Sequence, residues 1–381
     1  MHSIHNQYPK KKIFINGRFF TQDITGVQRY AHELIREIDR LIGINEIPEL
    51  QHYAIVLVVP KRKIKHSMSF NNITVKKCGI FSSHLWEQIV LPFVSRGGLL
   101  FCPGNTAPVI SLLLIRNVIT TIHDLSYRYY PEAYSRLFKL YYRLLIPLVI
   151  RFSKYILTVS NSELQQIIKY YPSVERKICA IQNGGLPSES QFSHSDIQTN
   201  EIRYLKPFIL YIGALSLRKN INGVIDAFNK LVIREKFNLV IVGAAPKAFI
   251  KFETIVENHV RERIHLLGQL NGREEIIQLY RNALCLVFPS YYEASPLPPI
   301  EAMACGCPVV CSDIPALKER CGDAALYSKP DDSEKIIGNI LLVGKDKIIR
   351  EALIEKGFAR AKYFSWLNCA KETCCILIKQ I

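Results

Sequence analysis

The chain has 381 residues, of which 49% are hydrophobic, and its 49 Lys and Arg against 33 Asp and Glu give a formal net charge of +16. This length is sufficient for two domains of ordinary size, each with its own core. The apolar runs are shorter than the roughly 20 residues that a membrane span needs, and the N-terminus lacks an apolar signal core. We therefore predict a cytoplasmic protein, either free or peripheral on the inner face of the cell membrane.

Strands and helices alternate in the first half of the chain. A helix is predicted over 27–38, with Thr25 as its N-cap, and Ser160 with Glu163 forms a capping box at the start of another. The apolar pattern predicts strands at 12–17, 53–59, 118–122 and 155–159.

The same alternation restarts after a polar, irregular stretch over 185–206 that is typical of a linker. A helical tail is predicted over 350–381, with a break near 363–366. Strands are predicted at 208–212, 239–242, 264–267, 283–288, 308–311 and 324–327. This pattern indicates an α/β protein of two doubly wound, Rossmann-like domains facing a cleft, over residues 1–190 and 191–363.

The charge is concentrated in the first half. Residues 1–190 carry 24 Lys and Arg against 12 Asp and Glu, whereas residues 191–381 carry 25 against 21. A basic half indicates an anionic partner, either a membrane surface, a pyrophosphate-bearing lipid or nucleic acid, or else only a solvated face. No nucleic-acid-binding pattern is present, so we predict no nucleic acid partner. The eleven cysteines lack paired C-x2-C spacing, which favours reduced, packed thiols and no metal site.

Two glutamates, Glu293 and Glu301, follow the predicted strand 283–288 and are separated by seven residues. They therefore lie at the carboxyl end of a strand, where open α/β sheets bind ligands. A carboxylate at such a point can accept hydrogen bonds from two hydroxyls of a sugar or a ribose.

This segment resembles the Glu-x7-Glu signature of the retaining nucleotide-sugar glycosyltransferases of family 4, which have the GT-B fold. The resemblance implies that Glu293 faces the donor sugar and that Glu301 holds the nucleotide ribose. The family usually has Glu-Gly-Phe-Gly-Leu-Pro, whereas residues 293–298 here read Glu-Ala-Ser-Pro-Leu-Pro. At Pro296 the chain has no backbone N–H to offer the sugar.

A second motif, over 213–220, follows the first strand of the second half and precedes a helix. It resembles the diphosphate-binding loop of the same family. Many members have Arg directly after the glycine, where this chain has Ala214, so Arg218 is expected to substitute for it. Gly213 permits the close turn, and Arg218 and Lys219 would stabilise charge on a leaving diphosphate.

The first half also matches the family. The strand end Thr-Ile-His-Asp-Leu over 121–125 resembles one whose histidine, here His123, reaches across the cleft to the donor sugar. Gly26 matches a glycine loop beside the donor phosphate and the acceptor. The segments 86–92 and 102–108 resemble the mannosyltransferase-like branch, and the likeness spans about residues 13–370.

The resemblance implies a retaining, metal-independent hexosyltransferase that needs no cofactor beyond its donor substrate. Its best match is transfer of mannose from GDP-mannose to a glycan or polyprenyl-diphosphate-linked glycan in O-antigen-like surface polysaccharide synthesis. Residues 1–190, with a returning tail over 364–381, would bind the acceptor, and residues 191–363 the nucleotide sugar. The implied catalytic residues are Glu293, His123, Arg218 and Lys219; those implied to bind the donor are Gly26, Gly213, Arg218, Lys219, Glu293, Leu297 and Glu301.

Two other classes remain open from the sequence. One is a different GT-B enzyme, such as a sugar-nucleotide epimerase or a phosphorylase. The other is a non-catalytic sugar-nucleotide-binding protein, which the departure over 294–296 leaves open.

Residues 132–154 combine basic with apolar and aromatic side chains. Such a segment is suited to lie in a membrane interface with anionic lipid. The alternative is a packed helix with a solvated rim. Its basic residues are Arg136, Lys139, Arg143, Arg151 and Lys154.

Overall fold

The computed structural model describes residues 10–66, 69–186, 207–232, 235–244, 258–270 and 272–381. The chain forms two compact units. The first contains the described residues up to Leu125, with Ser135–Gln182 and Trp366–Ile381, and the second contains Ser126–Tyr134 and the described residues of Asn183–Ser365. The sequence boundary expected at 190/191 lies outside the described residues.

The first unit is built on a seven-stranded sheet whose paired strands are parallel. Its strand order is β3-β2-β1-β4-β5-β6-β7. The strands are β1 (Lys11–Asn16), β2 (Tyr53–Pro60), β3 (Thr74–Cys78), β4 (Leu99–Cys102), β5 (Val118–Ile122), β6 (Tyr155–Thr158) and β7 (Ile178–Ala180). The strands β3, β4 and β7 were not predicted. The edge strand β3 is exposed and has no apolar run, so hydrophobic periodicity gives little signal for it. The strand β7 has only three residues, whereas β4 is a buried apolar run of four residues that the prediction overlooked.

Among the described residues up to 182, four longer helices belong to the first unit, and each buries part of its apolar surface. They are α1 (Gly26–Gly43), α2 (Ser83–Val94), α4 (Arg136–Phe152) and α5 (Asn161–Tyr170), with a π-helical turn at Ser111–Ile115. A short α3 (Ser126–Tyr129) belongs to the second unit. Shorter 3-10 turns occur at Arg18–Thr21, Pro48–His52, Pro131–Ala133 and Pro172–Lys177.

The second unit is built on a six-stranded sheet of parallel pairs, with the order β10-β9-β8-β11-β12-β13. The strands are β8 (Phe208–Ile212), β9 (Asn238–Val242), β10 (Ile264–Gly268), β11 (Cys285–Phe288), β12 (Val309–Ser312) and β13 (Ala325–Ser328). Its helices are α6 (Ile221–Leu231), α7 (Arg273–Asn282), α8 (Pro298–Ala304), α9 (Pro315–Cys321), α10 (Ser333–Lys345) and α11 (Lys347–Tyr363). All six strands agree with the sequence prediction to within two residues, because each contains an apolar run, which is buried in the central strands and partly exposed in the edge strand β10.

The chain ends in α12 (Trp366–Lys379), which packs on α1 in the first unit. Trp366 lies 6.1 Å from Tyr30, measured between ring centroids, and the Lys371 ammonium lies 2.6 Å from the Glu46 carboxylate. The predicted break near 363–366 is confirmed by the two residues that separate α11 from α12.

Both sheets have a point where the strand order reverses. In the first sheet it lies between β1 and β4, and in the second between β8 and β11. In open parallel sheets the carboxyl ends of the strands at such a point form the usual ligand site. The two switch points are therefore where functional residues are expected.

Candidate functional site

A tight turn at the carboxyl end of β8 presents two cations. Leu217–Lys219 forms a 3-10 turn, and Asn220, at φ 54°, ends it and caps α6 by accepting a hydrogen bond from the Gly223 N–H (3.1 Å). The Asn220 amide also donates to the Pro330 carbonyl (2.7 Å). Asparagine tolerates this left-handed conformation better than most residues. The turn therefore has a fixed conformation, with Arg218 and Lys219 on it.

The glycine at the start of this turn approaches a neighbouring strand end closely. The Gly213 N–H donates to the Val242 carbonyl (2.9 Å), and a Cβ at Gly243 would lie 1.9 Å from the Gly213 oxygen. Only glycine fits at position 243. Sequence reasoning missed Gly243, although a glycine directly after a buried strand was a usable signal.

The two cations of this turn converge on one buried carboxylate. The Lys219 ammonium pairs with Glu293 Oε1, and Arg218 Nη1 lies 3.6 Å from Oε2. Arg218 Nη1 also donates to the Tyr292 carbonyl (2.8 Å). Burial alone would raise the pKa of Glu293, but Lys219 and Arg218 hold that pKa below its usual value. Glu293 is therefore ionised at neutral pH.

Aromatic rings surround this charged cluster. The Lys219 ammonium lies 5.0 Å from the centroid of the Phe288 ring. The Tyr292 ring lies 5.2 Å from the Tyr129 ring and 6.0 Å from the Tyr130 ring, again between centroids. Tyr129 and Tyr130 come from a segment that the sequence places in the first half, so no local pattern could have assigned them to this site.

The second glutamate of the motif has a different partner. Glu301 lies in the first turn of α8 and is 2% exposed, and the Tyr280 hydroxyl donates to its Oε2 (3.2 Å). Leu297, directly before α8, is also buried. The structure thus brings Arg218, Lys219 and Glu293 into contact and places Glu301 on the helix that follows.

His123 lies at the end of β5 in the first unit. Its Nε2 donates to the Pro103 carbonyl (2.9 Å), and its backbone N–H donates to Asn105 Oδ1 (2.6 Å). Burial lowers the pKa of His123. The ring is therefore neutral, with its proton on Nε2 and an acceptor lone pair on Nδ1. Gly26 is the first residue of α1, and a Cβ there would meet no atom within 4 Å.

A cavity of about 150 Å³ lies at the switch point of the first sheet. Asn16 and Pro103, at the ends of β1 and β4, belong to its lining. Other lining residues come from the segment between Arg18 and Ala31, from His84 and Glu87 of α2, from Gly104, Asn105 and Thr106, and from Phe138 and Tyr142 of α4. No sequence motif pointed to this cavity, because its residues come from four separate segments.

An ion pair lies inside this cavity. Arg18 Nε is 3.2 Å from Glu87 Oε1, Nη2 donates to Thr106 Oγ1 (3.0 Å) and Nη1 donates to His84 Nε2 (3.0 Å). Burial alone would raise the pKa of Glu87, but Arg18 and the neighbouring hydrogen bonds lower it to about 2. His84 Nδ1 lies 3.4 Å from Glu87 Oε2 and 3.2 Å from the Tyr141 hydroxyl.

In the described ranges, no group of three or more His, Cys, Asp and Glu side chains is placed to hold a metal ion. All eleven cysteines are free thiols. Within the same ranges, the structure contains no helix with both the length and the hydropathy of a membrane span.

Solved structures share this fold. Sucrose-phosphate synthase from Thermosynechococcus elongatus matches with a TM-score of 0.71 and 17% identity, over 97% of this chain and 99% of that chain. WaaG, a glycosyltransferase involved in lipopolysaccharide biosynthesis, matches with a TM-score of 0.70 and 16% identity, over 96% and 99%. Two Rossmann-like units of this kind define the GT-B class of glycosyltransferases.

The sequence comparisons give the family. Residues 194–360 match the family model of glycosyl transferases group 1, and residues 100–184 match that of glycosyltransferase family 4. O-antigen chain mannosyltransferase B of Escherichia coli is 33% identical over 68% of this chain and 69% of its own length. O-antigen chain mannosyltransferase RfbU of Salmonella typhimurium is 34% identical over 58% and 59%. The chain belongs to the family that these two models describe, glycosyl transferases of group 1 and family 4, and it is a glycosyltransferase.

Proposed function

We propose that this glycosyltransferase moves mannose from GDP-mannose, with retention at the anomeric carbon, to a glycan acceptor in surface polysaccharide synthesis. The observation that carries the proposal is the contact of Arg218 and Lys219 with Glu293 at the switch point of the second sheet. The choice of mannose follows the two relatives named as O-antigen chain mannosyltransferases. A neighbour in fold, HepE of Anabaena, was solved in complex with UDP-glucose, so other nucleotide sugars belong in the test.

The site has the groups that such a transfer needs. Arg218 and Lys219 would bind the donor diphosphate, whose charge grows as the bond to the sugar breaks, so they would stabilise the transition state more than the bound donor. Glu293, kept ionised beside them, would accept hydrogen bonds from the donor sugar. Glu301 would hold the ribose. In a retaining transfer the leaving diphosphate can accept the proton of the incoming hydroxyl, so the proposal needs neither a separate base nor a metal ion.

Thermal stabilisation by a panel of nucleotides and nucleotide sugars, followed by a transfer assay, tests this proposal. GDP and GDP-mannose should raise Tm, and mannose should pass to a mannan-type acceptor with a chelator present. Product formation without an acceptor would favour an epimerase, and dependence on inorganic phosphate would favour a phosphorylase. Donor binding with neither transfer nor hydrolysis would favour a non-catalytic protein. Loss of activity with a chelator and its rescue by magnesium would contradict metal independence.

We further propose that the acceptor is lipid-linked and that the first unit attaches to an anionic membrane surface. The two halves of the segment 132–154 differ in burial. The C-terminal half of α4 is packed core, including Ile146 and Val149, whereas the N-terminal half is exposed. Neighbouring elements extend the exposed apolar area. Its residues, which we call the apolar face, are Leu85, Ile89 and Phe93 of α2, Ile110, Leu113 and Leu114 at the π turn, and Leu137, Leu140 and Leu144 of α4.

Contacts between these elements make the apolar face continuous. The His84 and Tyr141 rings lie 4.9 Å apart and join α2 to α4. Gln88 of α2 accepts from the Val109 N–H (2.8 Å), directly before the π turn, and the turn itself packs on α4. On each of α2 and α4 the exposed residues recur three or four positions apart, so they share one side of the helix.

The charge of this region suits anionic lipid. Residues 88–123 and the whole of α4 contain no acidic residue, and Glu87 is buried against Arg18. Exposed arginines flank the apolar side chains, at Arg96, Arg116, Arg136 and Arg143. Each cation near an anionic surface contributes about 1 kcal/mol, so several of them, with apolar insertion, are sufficient for reversible attachment.

Sedimentation with liposomes tests this attachment. Binding should require anionic lipid and weaken as salt is raised. Leu140→Glu with Leu144→Glu should abolish it, whereas Ile348→Glu, which changes an equally apolar and exposed residue of the second unit, should not. Equal binding to neutral and anionic vesicles, or binding to neither, would remove the proposed attachment to an anionic membrane. Concentration-dependent dimerisation lost in the same double variant would make a second copy of the chain the partner. Each of these outcomes leaves the transferase proposal unaffected.

A further inference from the structure

The cavity at the switch point of the first sheet has a composition that selects its ligand. We infer that it binds one uncharged sugar ring of the acceptor and discriminates against phosphorylated or acidic sugars. This inference rests on the proposed transferase function, whose acceptor it describes.

The charged side chains in the cavity compensate each other. Among the described residues that line the cavity, the charged ones are Arg18 and Glu87, and they are paired. Glu87 is fully buried and also accepts hydrogen bonds from Asn16 Nδ2 (2.6 Å) and Thr106 Oγ1 (2.9 Å to Oε2). The guanidinium charge is therefore already compensated. A phosphate or carboxylate would lose its hydration and would lie close to the negative Glu87, with no free cation to offset either cost.

The N-terminus of α1 does not alter this balance. A helix N-terminus can attract an anion through its free N–H groups. Here a capping box uses two of them. Thr25 accepts from the backbone of Gln28, and Gln28 Oε1 accepts from the Thr25 N–H (3.3 Å). The cavity thus lacks the uncompensated cation that anion sites combine with free backbone N–H groups.

Two side-chain amide groups in the cavity are available to donate hydrogen bonds to a ligand. Gln22 Oε1 accepts from Gln28 and Asn105 Oδ1 accepts from the His123 N–H, and in the described structure neither amide nitrogen has a protein partner. These two NH₂ groups are donors suited to sugar hydroxyl oxygens. Phe138 and Tyr142, stacked at 4.1 Å between centroids with an interplanar angle of 20°, give an aromatic wall for the apolar side of the ring.

The cavity is small. The cavity volume is about 150 Å³. An engineered cavity of about that volume binds one benzene molecule. A volume of this order suits one ring-sized group, and the rest of a longer acceptor would extend outward from it.

Ligand-observed NMR on the full chain without donor tests the inference. The probes are the methyl glycosides of mannose, glucose and N-acetylglucosamine, each paired with the 6-phosphate of the same sugar. At least one neutral glycoside should bind, and its 6-phosphate should bind at least tenfold more weakly. Gln22→Ala should weaken the neutral ligand about three- to tenfold, the equivalent of one neutral hydrogen bond. Gln51→Ala, an exposed glutamine of the same unit, is the matched control.

Variants that change the charge of the cavity distinguish selection of the ligand by charge from a loss of folding. Glu87→Gln leaves the Arg18 charge uncompensated, so the 6-phosphate should gain at least tenfold relative to the neutral glycoside. Because Glu87 is buried, this variant risks misfolding. Gln22→Lys adds a cation at the half-buried rim without touching the pair, and it should move the preference in the same direction. If neither folded variant gains affinity for the 6-phosphate, the charge argument is wrong.

The remaining outcomes are equally decisive. Equal or tighter binding of the 6-phosphates to the unmodified chain, no binding of any neutral glycoside, or insensitivity to Gln22→Ala would each overturn the inference. Binding of GDP, measured separately through Arg218→Ala, reports on the proposed function. Selective neutral-sugar binding without transfer from GDP-mannose would leave this inference standing and contradict the proposed donor.

Discussion

Two opposing effects act on the carboxylate of Glu293. Burial favours its neutral form, and the adjacent Lys219 and Arg218 favour the charged form, with the cations prevailing. A buried pair of this kind contributes little net stability, since desolvation offsets most of the attraction. Its presence at a strand end is better explained by function. Without donor, Glu293 keeps two cations in place that a diphosphate would otherwise hold.

We predict that Arg218→Ala combined with Lys219→Ala lowers kcat about 10²- to 10³-fold, with a smaller change in affinity for the donor. The reason is that negative charge on the leaving group is greatest in the transition state. Steady-state kinetics with saturating acceptor measures both quantities. Lys318→Ala, at an exposed surface position of the same unit, serves as the control. An unchanged kcat in the double variant would remove the phosphate role.

For Glu301 we predict a binding effect. Glu301→Ala should weaken GDP binding about 10- to 100-fold, because a hydrogen bond to a charged group contributes about 1.5–3 kcal/mol. Calorimetric titration with GDP measures this effect. Tyr280→Phe removes one hydrogen-bond donor to Glu301 but keeps its carboxylate, so that variant should bind GDP nearly normally. If both variants lose affinity equally, Glu301 acts through packing and not through the ribose.

The local sequence predicts the surroundings of some site residues but not of others. The motif residues Arg218, Lys219 and Glu293 lie beside buried strands whose ends are fixed by hydrophobic pattern, so their neighbourhood could be anticipated. Tyr129 and Tyr130 could not be placed, because their contact with Tyr292 joins positions more than 150 residues apart. The same limit applies to the cavity of the first unit.

At the scale of elements, close backbone approach decides which substitutions the second sheet tolerates. Gly243→Ala would place a Cβ 1.9 Å from the Gly213 oxygen, so the ends of β8 and β9 would have to separate. We predict a loss of about 1–3 kcal/mol of unfolding free energy, as is typical of forced overpacking. Urea denaturation measures it.

The control for this prediction lies in α10 of the same unit. Gly338 is exposed within the helix, and a Cβ there meets nothing within 4 Å, so Gly338→Ala should stabilise by about 0.5–1 kcal/mol. A Gly243→Ala protein as stable as the parent would show that the strand ends adjust freely.

Element prediction found all six strands of the second sheet and missed three of the first, of which β4 is buried and central and β3 and β7 lie at the edges. The strands of the second sheet, like β2 and β5, are mainly apolar or β-branched segments. The edge strand β3 carries Lys76 and Lys77 and has no apolar alternation to detect, whereas β4 and β7 are only four and three residues long. Pairing with a neighbouring strand, which a single sequence does not contain, defines these elements.

At the scale of the whole molecule, buried ionisable groups make the stability depend on pH. Burial, with smaller effects of His66 and Arg36, lowers the pKa of His32 to about 4 against the opposing effect of Glu33, and burial also lowers the pKa of His123. Between their unfolded pKa of about 6.5 and the lower folded value, the unfolded chain binds more protons. Stability must therefore fall as pH falls through this window.

Glu87 affects the stability at a lower pH than the two histidines do. Its folded pKa is about 2, against an unfolded value near 4.5, so the stability it contributes is present above about pH 4.5 and is lost toward pH 2. The two histidines therefore lower the stability as pH falls from about 6.5 to 5, and the Glu87 pair lowers it in stronger acid.

We predict that Tm decreases steadily from pH 7 to pH 5 and more steeply below pH 4. His32→Asn, which removes one buried titrating ring from between Phe19 and Phe20, should flatten the decrease between pH 7 and 5 even if it lowers Tm at pH 7. His52→Asn, at an exposed position, should leave the slope unchanged. Differential scanning calorimetry at constant ionic strength measures both slopes. If the His32→Asn slope equals that of the parent, His32 is protonated in the folded protein as readily as in the unfolded chain, and the acid sensitivity has another origin.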